Sequence, residues 1–170
     1  EFVATDELEP RADCGCEYEP CAEDLAFLQF TSGSTGDPKG VMVGHGNLAH
    51  NIAFGANTFK IQPDDVAVSW LPQYHDLGLI GYFLQPATTG SSVVVMSPMT
   101  FLHKPGLWLS AISRYKGTCF SAPNFAFQRC VDKLPDILKE YPIESLSLGQ
   151  LKYAQNCAEP IRPSTLKAFQ

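Results

Sequence analysis

Short apolar runs alternate with amphipathic stretches along most of the chain, and the two patterns predict strands and helices in turn. The runs that predict strands cover residues 25–30, 41–43, 66–70, 92–96, 118–120 and 151–155. Apolar residues at helical spacing begin after Asn47, at Asp76, and near Pro105, Pro123 and Pro163. This alternation favours an α/β fold in which mostly parallel strands alternate with helices.

Polar residues and β-branched runs set the ends and the burial of several of these elements. Asn47 and Asp76 stand at the start of helical patterns, so each is predicted to cap its helix. The β-branched run at 92–96 predicts a strand that is covered on both faces. A core-facing helical stripe is predicted for Trp108, Ala111, Ile112 and Tyr115.

The stretch with the most chemistry is TSGSTGDPKG, residues 31–40, which joins the first two predicted strands. Its glycines Gly33, Gly36 and Gly40 can adopt positive φ, which lets successive backbone N–H groups point at one anion. The side-chain donors are Thr31, Ser32, Ser34, Thr35 and Lys39. This donor array predicts a phosphate-binding loop.

Two other interpretations of the loop were weighed. A nucleotide P-loop is excluded, because that motif continues from its lysine into a helix. Here Pro38 precedes Lys39, Gly40 follows it, and the run at 41–43 predicts a strand. A plain flexible hairpin is the alternative that stays open on composition, since glycine, serine and threonine are common in surface turns.

The ordered string is far more specific than its composition, and it resembles the signature loop of the adenylate-forming superfamily of acyl- and aminoacyl-activating synthetases. The resemblance implies part of the large N-terminal domain of that fold. It also implies that the loop holds the β- and γ-phosphates of ATP, with Lys39 as a catalytic residue. The implied ATP-binding residues are Thr31, Ser32, Gly33, Ser34, Thr35, Gly36, Lys39 and Gly40.

Two further segments resemble fatty acyl-AMP ligases and related long-chain acyl-activating enzymes. The first, WLPxxHDxGLIG at 70–81, implies that His75 is a catalytic residue that orients the acyl carboxylate, although a His-Asp pair at a helix start is by itself a cap. The second segment runs from MSPxxFLxxP through WLxAISRY to PNFAF in the middle of the chain. The resemblance implies that its elements line an acyl tunnel. Phe125 fits the protein core equally well. The implied substrate-binding residues are His75, Asp76, Gly78, Asn124 and Phe125.

A last motif, NCAEPIRP at 156–163, resembles the NGAEPVRP segment of the same family. The resemblance implies that its backbone packs along the adenine ring of ATP. Cys157 stands where the family has glycine. If that glycine needs positive φ or a close backbone approach, the cysteine costs about 1–2 kcal/mol or displaces the loop. The implied adenine-binding residues are Asn156, Cys157, Ala158, Glu159 and Pro160.

Composition changes this picture mainly at the N-terminus. Residues 1–24 hold nine acidic residues against Arg11, a charge of −8, and the rest of the chain carries +2, which gives the net charge of −6. An acidic linker or inter-strand loop is therefore predicted over residues 1–22, followed by a partial AMP-binding domain at 23–170.

No basic run with interleaved aromatic residues occurs, which argues against nucleic acid as a partner, and no apolar run is long enough for a transmembrane segment.

The cysteines bear on location and on metals. The six cysteines suit a reducing compartment, so a cytoplasmic location is predicted. Cys14, Cys16 and Cys21 lack the second well-spaced pair that a zinc site would need, so no metal ligands are assigned.

The resemblance implies ATP-dependent activation of a fatty or other carboxylic acid to an acyl-AMP, with Mg²⁺ sharing the phosphate charge and with coenzyme A or an acyl carrier protein as the thiol acceptor. Later family motifs, including a Mg²⁺-binding glutamate and a C-terminal domain with a catalytic lysine, are expected beyond Gln170. The chain is therefore interpreted as an inactive fragment of an active ligase. The alternatives are an acyl-CoA synthetase, the adenylation domain of a peptide or polyketide synthase, and a non-catalytic module that binds acyl groups or nucleotides.

Overall fold

A computed structural model describes residues 18–31 and 38–170. The chain forms two compact units, Glu1–Asn47 and Leu48–Gln170. The segment 1–17, which holds most of the predicted acidic linker with Cys14 and Cys16, lies outside the described residues. None of the described helices is both long and apolar enough to cross a membrane.

The first unit contains an antiparallel hairpin of β1 (Leu25–Thr31) and β2 (Lys39–Gly44), with Thr31 opposite Lys39. The two predicted strands are confirmed. The prediction of positive φ at Gly40 is wrong, because this residue lies in β2 and has no positive φ. A Cβ there would lie 3.3 Å from the ring of Phe30, so glycine is needed for space.

Helix α1 (His45–Phe59) begins three residues earlier than predicted, and Asn47 is not its N-cap. Asn47 lies in the first turn, and its Oδ1 accepts a hydrogen bond from the backbone N–H of Gly44 at 2.9 Å. This is the capping-box arrangement, in which a side chain in the first turn reaches back to the residue that precedes the helix. Asn47 therefore marks the start of α1 as predicted, but its side chain acts from the first turn of the helix and not from the N-cap position.

The second unit is built on a four-stranded parallel sheet, which confirms the predicted α/β fold. Its strands are β3 (Val66–Ser69), β4 (Ser92–Val95), β5 (Cys119–Ala122) and β6 (Tyr153–Asn156), in the order β4-β3-β5-β6. Within the described residues β4 is an edge strand, and Val95 is 52% exposed. The prediction that this strand is covered on both faces is therefore wrong.

Helices fill the connections between the strands. They are α2 (Asp76–Leu79), α3 (Gln85–Thr89), α4 (Pro98–His103), α5 (Pro105–Arg114), α6 (Asn124–Asp132), α7 (Leu134–Glu140) and α8 (Pro163–Phe169). A π-helical turn at Ile80–Leu84 joins α2 to α3. Trp108, Ala111 and Ile112 are buried on α5 as predicted, but Tyr115 lies beyond the end of that helix and is half exposed.

The two faces of the sheet carry side chains of different size. On one face Val68 and Phe120 pack against Trp108, Ile112 and Phe127 in the main hydrophobic core. Residues on the other face are the alternate strand positions, since successive side chains of a strand point to opposite sides. They include the small residues Ala67, Cys119 and Ser121, and a cavity lies against them.

An ion pair between the buried Asp65 and the half-exposed Lys152 holds the start of β3. The Oδ1 of Asp65 lies 2.6 Å from Lys152 Nζ, and its Oδ2 accepts a hydrogen bond from Gln62 N at 2.8 Å. Burial opposes the charged form, but these hydrogen bonds outweigh it and hold the pKa of Asp65 below its ordinary value of 3.8. Such a group contributes stability above its ordinary pKa and loses that contribution as the pH falls through its folded pKa.

We therefore expect Asp65→Asn to lower the free energy of unfolding by about 1–3 kcal/mol at neutral pH, and the difference from the wild type to shrink below about pH 4. Urea unfolding at a series of pH values measures this. Asp64→Asn, at the exposed neighbouring position, is the matched control. A difference that stays constant down to acid pH would contradict the assignment.

Candidate functional site

Three loops that carry predicted site residues meet at one edge of the sheet, because the carboxyl ends of parallel strands share an edge. Asn124, after β5, is 5% exposed. Its Oδ1 accepts hydrogen bonds from Asn156 Nδ2 and Arg162 N, both at 3.1 Å, and its Nδ2 donates to Thr165 Oγ1 at 3.4 Å. Asn124 therefore ties the β5 loop to the β6 loop, and its amide is largely used within the protein.

Phe125 and Glu159 form a second link between the same two loops. The carboxylate of Glu159 accepts a hydrogen bond from the backbone N–H of Phe125 in the first turn of α6. The Phe125 ring is 43% exposed and packs edge-on against Trp70, with ring centroids 5.7 Å apart. Phe125 is therefore not buried in the core, and its contact with substrate stays a prediction.

The loop after β6 has its unusual backbone one residue later than the sequence suggested. Ala158 has a φ of 67°, in the left-handed region, whereas Cys157 is not among the described residues with positive φ. Cys157 N donates to Ala122 O at 3.1 Å, which continues the pairing of β6 with β5. The cost that positive φ would have imposed on Cys157 therefore does not arise.

His75, rather than the predicted Asp76, is the N-cap of α2. Its Nδ1 lies 3.3 Å from Leu77 N and 2.7 Å from Asp76 Oδ1, and Asp76 Oδ1 itself accepts from Leu77 N at 2.6 Å. Both side chains are more than half exposed. Gly78 is buried, and a Cβ there would lie 2.0 Å from Pro72 O, so its close packing explains the glycine.

This arrangement assigns different tasks to the two imidazole nitrogens of His75. Asp76 Oδ1 satisfies both Leu77 N and an Nδ1–H, which uses Nδ1 inside the turn. Nε2 has no partner among residues 18–31 and 38–170, so it is the nitrogen that is left for a ligand. A neutral imidazole offers an acceptor there, and an imidazolium offers a donor suited to a carboxylate or phosphate oxygen.

A cavity of about 390 Å³ lies beside this turn. Asp76 and Leu77 line it near the sheet edge, and α1 and the small-residue face of the sheet form its walls. Phe59 and Tyr153 also line it and stack with ring centroids 4.9 Å apart. Its volume is at the lower end of the range of about 300–1,000 Å³ that is usual for small-molecule pockets.

Sequence reasoning missed most of the residues that line this cavity. The available signal was the alternation on the strands, where Cys119 and Ser121 on β5 are too small to fill a core face. Burial raises the pKa of Cys119, Tyr82 and Tyr153, so these three side chains are uncharged at neutral pH. The wall they form therefore suits an uncharged group.

The predicted phosphate-loop residues lie in the first unit. Thr31 ends β1, and Lys39 and Gly40 begin β2. Ser32, Gly33, Ser34, Thr35 and Gly36 lie outside the described residues. In the part of the chain that is described, no three His, Cys, Asp or Glu side chains come together as a metal site.

Comparison with known proteins identifies the family. A family profile described as "AMP-binding enzyme" matches residues 3–170. The medium-chain-fatty-acid–[acyl-carrier-protein] ligase TtuA of Teredinibacter turnerae is 40% identical over 153 residues, which cover 89% of this chain and 23% of TtuA. The long-chain-fatty-acid–AMP ligase FadD26 of Mycobacterium marinum is 39% identical over 155 residues, covering 87% of this chain and 26% of FadD26.

A solved structure agrees with these relatives. The fatty acyl-adenylate ligase from L. pneumophila, in complex with acyl adenylate and pyrophosphate, matches with a TM-score of 0.79 and 41% identity over 89% of this chain and 26% of that protein. The chain thus spans about a quarter of the length of the relatives it matches. It belongs to the AMP-binding family of adenylate-forming enzymes, and it corresponds to an N-terminal segment of their adenylation domains.

Proposed function

We propose that the full-length protein containing this chain activates a fatty acid, using ATP to form an acyl-AMP with release of pyrophosphate. The observation that carries the proposal is the cavity beside the His75–Asp76 turn, which Asp76 and Leu77 line together with one face of the sheet. Its modest volume favours a medium-chain acid over a long one. Similarity to TtuA, a medium-chain-fatty-acid–[acyl-carrier-protein] ligase, supports an acyl carrier protein as the thiol acceptor.

In this proposal the chemistry needs alignment and charge more than covalent catalysis. A carboxylate oxygen attacks the α-phosphorus of ATP, the bond to the bridging oxygen breaks, and pyrophosphate leaves. Both reactants are anionic, so Lys39 and the loop donors would stabilise the departing charge. His75 would hold the incoming carboxylate in its imidazolium form, in which Nδ1–H donates to Asp76 Oδ1 and Nε2–H donates to the carboxylate.

Mg²⁺ stays a prediction that the described residues do not support directly. When bound, Mg²⁺ would neutralise phosphate charge. Glu159 is not the expected Mg²⁺-binding glutamate, because it lies in a different motif. The steps proposed above use only side chains of this chain.

Fatty-acid-dependent exchange of labelled pyrophosphate into ATP by the full-length protein tests the proposal. We expect exchange with octanoic acid and weaker exchange with hexadecanoic acid. Transfer is then followed with an acyl carrier protein and with coenzyme A in parallel. Absence of exchange with every carboxylic acid tried would contradict adenylation and would leave the non-catalytic binding module as the better interpretation.

The role of His75 gives a separable prediction. We expect His75→Asn and His75→Ala each to lower kcat/KM for the acid by about 100-fold, because both remove the nitrogen that positions the carboxylate. Asparagine remains a good N-cap, so only the alanine variant is expected to lose about 1 kcal/mol of stability. His103→Ala, at an exposed histidine on α4, is the control. If His75→Asn kept the wild-type kcat/KM, the carboxylate-binding role would be contradicted and His75 would serve only as the N-cap of α2.

A further inference from the structure

The cavity wall contains a hydrogen-bonded polar pair among mainly apolar neighbours. Ser121 Oγ on β5 donates to Gln155 Oε1 on β6 at 2.7 Å. Ser121 is 5% exposed and also hydrogen-bonds to the hydroxyl of Tyr82, which is 6% exposed. All three residues line the cavity, together with apolar side chains such as Phe54 and Ile80. In this arrangement Oε1 is the atom of the Gln155 amide that faces Ser121.

Because the amide oxygen of Gln155 accepts a hydrogen bond from Ser121, the amide nitrogen is the atom that remains to donate one. Within residues 18–31 and 38–170, Nε2 of Gln155 has no hydrogen-bond partner, and the side chain faces the cavity. A saturated alkyl chain that filled the cavity would remove water from these N–H groups and return nothing. An N–H group that loses its water and gains no partner therefore disfavours binding of the alkyl chain more than an apolar side chain at the same position would.

The position of Gln155 along β6 indicates which part of an acyl chain it would meet. It directly precedes Asn156, where the strand ends and the loop at the sheet edge begins. Tyr153 lies two residues further from that edge, which is about 6–7 Å along a strand. An acid whose carboxylate sits at the edge would therefore place its first few carbons, and not its far end, beside the Gln155 amide.

We infer that Gln155, held by Ser121, is a specificity-determining residue that selects acids with an oxygen substituent close to the carboxyl group, such as β-hydroxy acids, over unsubstituted ones. A hydroxyl fits because it accepts a hydrogen bond from the amide N–H, and because its own proton can be donated in turn. The inference rests on the proposed adenylation activity, and it names the substrate class more closely.

Pyrophosphate release by the full-length protein tests this, with octanoic, β-hydroxyoctanoic and ω-hydroxyoctanoic acids compared by kcat/KM. We expect the wild type to prefer the β-hydroxy acid to octanoic acid by about tenfold and to show no preference for the ω-hydroxy acid. In Gln155→Leu and Gln155→Met the preference should disappear, through faster use of octanoic acid and slower use of the β-hydroxy acid. Ser121→Ala should weaken the preference, because it frees the amide to rotate.

Gln150→Leu supplies the matched control, because it makes the same side-chain change where the amide donates to Ile112 O and Ser147 O, away from the cavity. It should keep the wild-type ratio between the acids. A wild type without preference, or Gln155 variants that fold and keep it, would overturn the inference while leaving adenylation intact. No turnover with any acid would instead contradict the proposed function and the inference with it.

Discussion

Replacing Lys39 with alanine is expected to reduce ATP–pyrophosphate exchange by about 100-fold or more, which is the usual cost of removing a group that stabilises transition-state charge. Lys39 is the first residue of β2 and pairs with Thr31 at the end of β1. The two ends of the intervening loop are thus held by the hairpin. If the loop cradles the phosphates, the ammonium is its single full positive charge. Exchange of labelled pyrophosphate into ATP measures the loss.

Two further variants make the Lys39 result specific. Lys139→Ala removes a lysine that is 80% exposed on α7 and should leave exchange unchanged. Lys39→Arg keeps the charge but changes its shape and reach, so we expect partial activity if charge dominates. Undiminished exchange in Lys39→Ala would mean that the glycine-rich segment is the plain hairpin that composition alone also allows.

The local sequence pattern was enough to predict the strands and helices, but it was not enough to predict what packs around them. The apolar runs located all six strands of the described residues, because strand-forming periodicity is a property of a few consecutive residues. The burial of β4 could not be predicted, since an edge strand and a central strand share the same valine-rich sequence and differ only in their neighbours. The cap of α1 also depended on geometry, because Asn47 can act from the first turn as well as from the cap position.

In the candidate site, too, local motifs could be predicted and long-range contacts could not. Motif residues at the ends of strands could be placed at one sheet edge in advance, since parallel strands end together. The network around Asn124 joins residues more than 30 positions apart, which no local pattern encodes. Ala158 gave no warning of its positive φ, because glycine or asparagine would be the usual signal there. The cavity was missed because it depends on small side chains contributed by separate strands.

Gly78→Ala is expected to have the largest effect on folding. The added methyl group would lie 2.0 Å from the carbonyl oxygen of Pro72 and 2.7 Å from its carbon, and neither atom belongs to a flexible side chain. His75 N also donates to Pro72 O at 3.1 Å, so the clash falls on the turn that holds the candidate carboxylate-binding residue. We expect a loss of about 3 kcal/mol or displacement of this turn, measured by urea unfolding of the full-length protein.

Gly81→Ala is the matched control, because it makes the same change three residues later in the same helical segment. Its methyl group would meet only Leu77 Cδ1, at an ordinary distance of 3.9 Å. Alanine is also the better helix former, so stability should be unchanged or slightly increased. If both variants were equally stable, the close approach of Gly78 to Pro72 would be refuted. If only Gly78→Ala were destabilised, the glycine would be required by packing, and no direct contact with substrate would be needed to explain it.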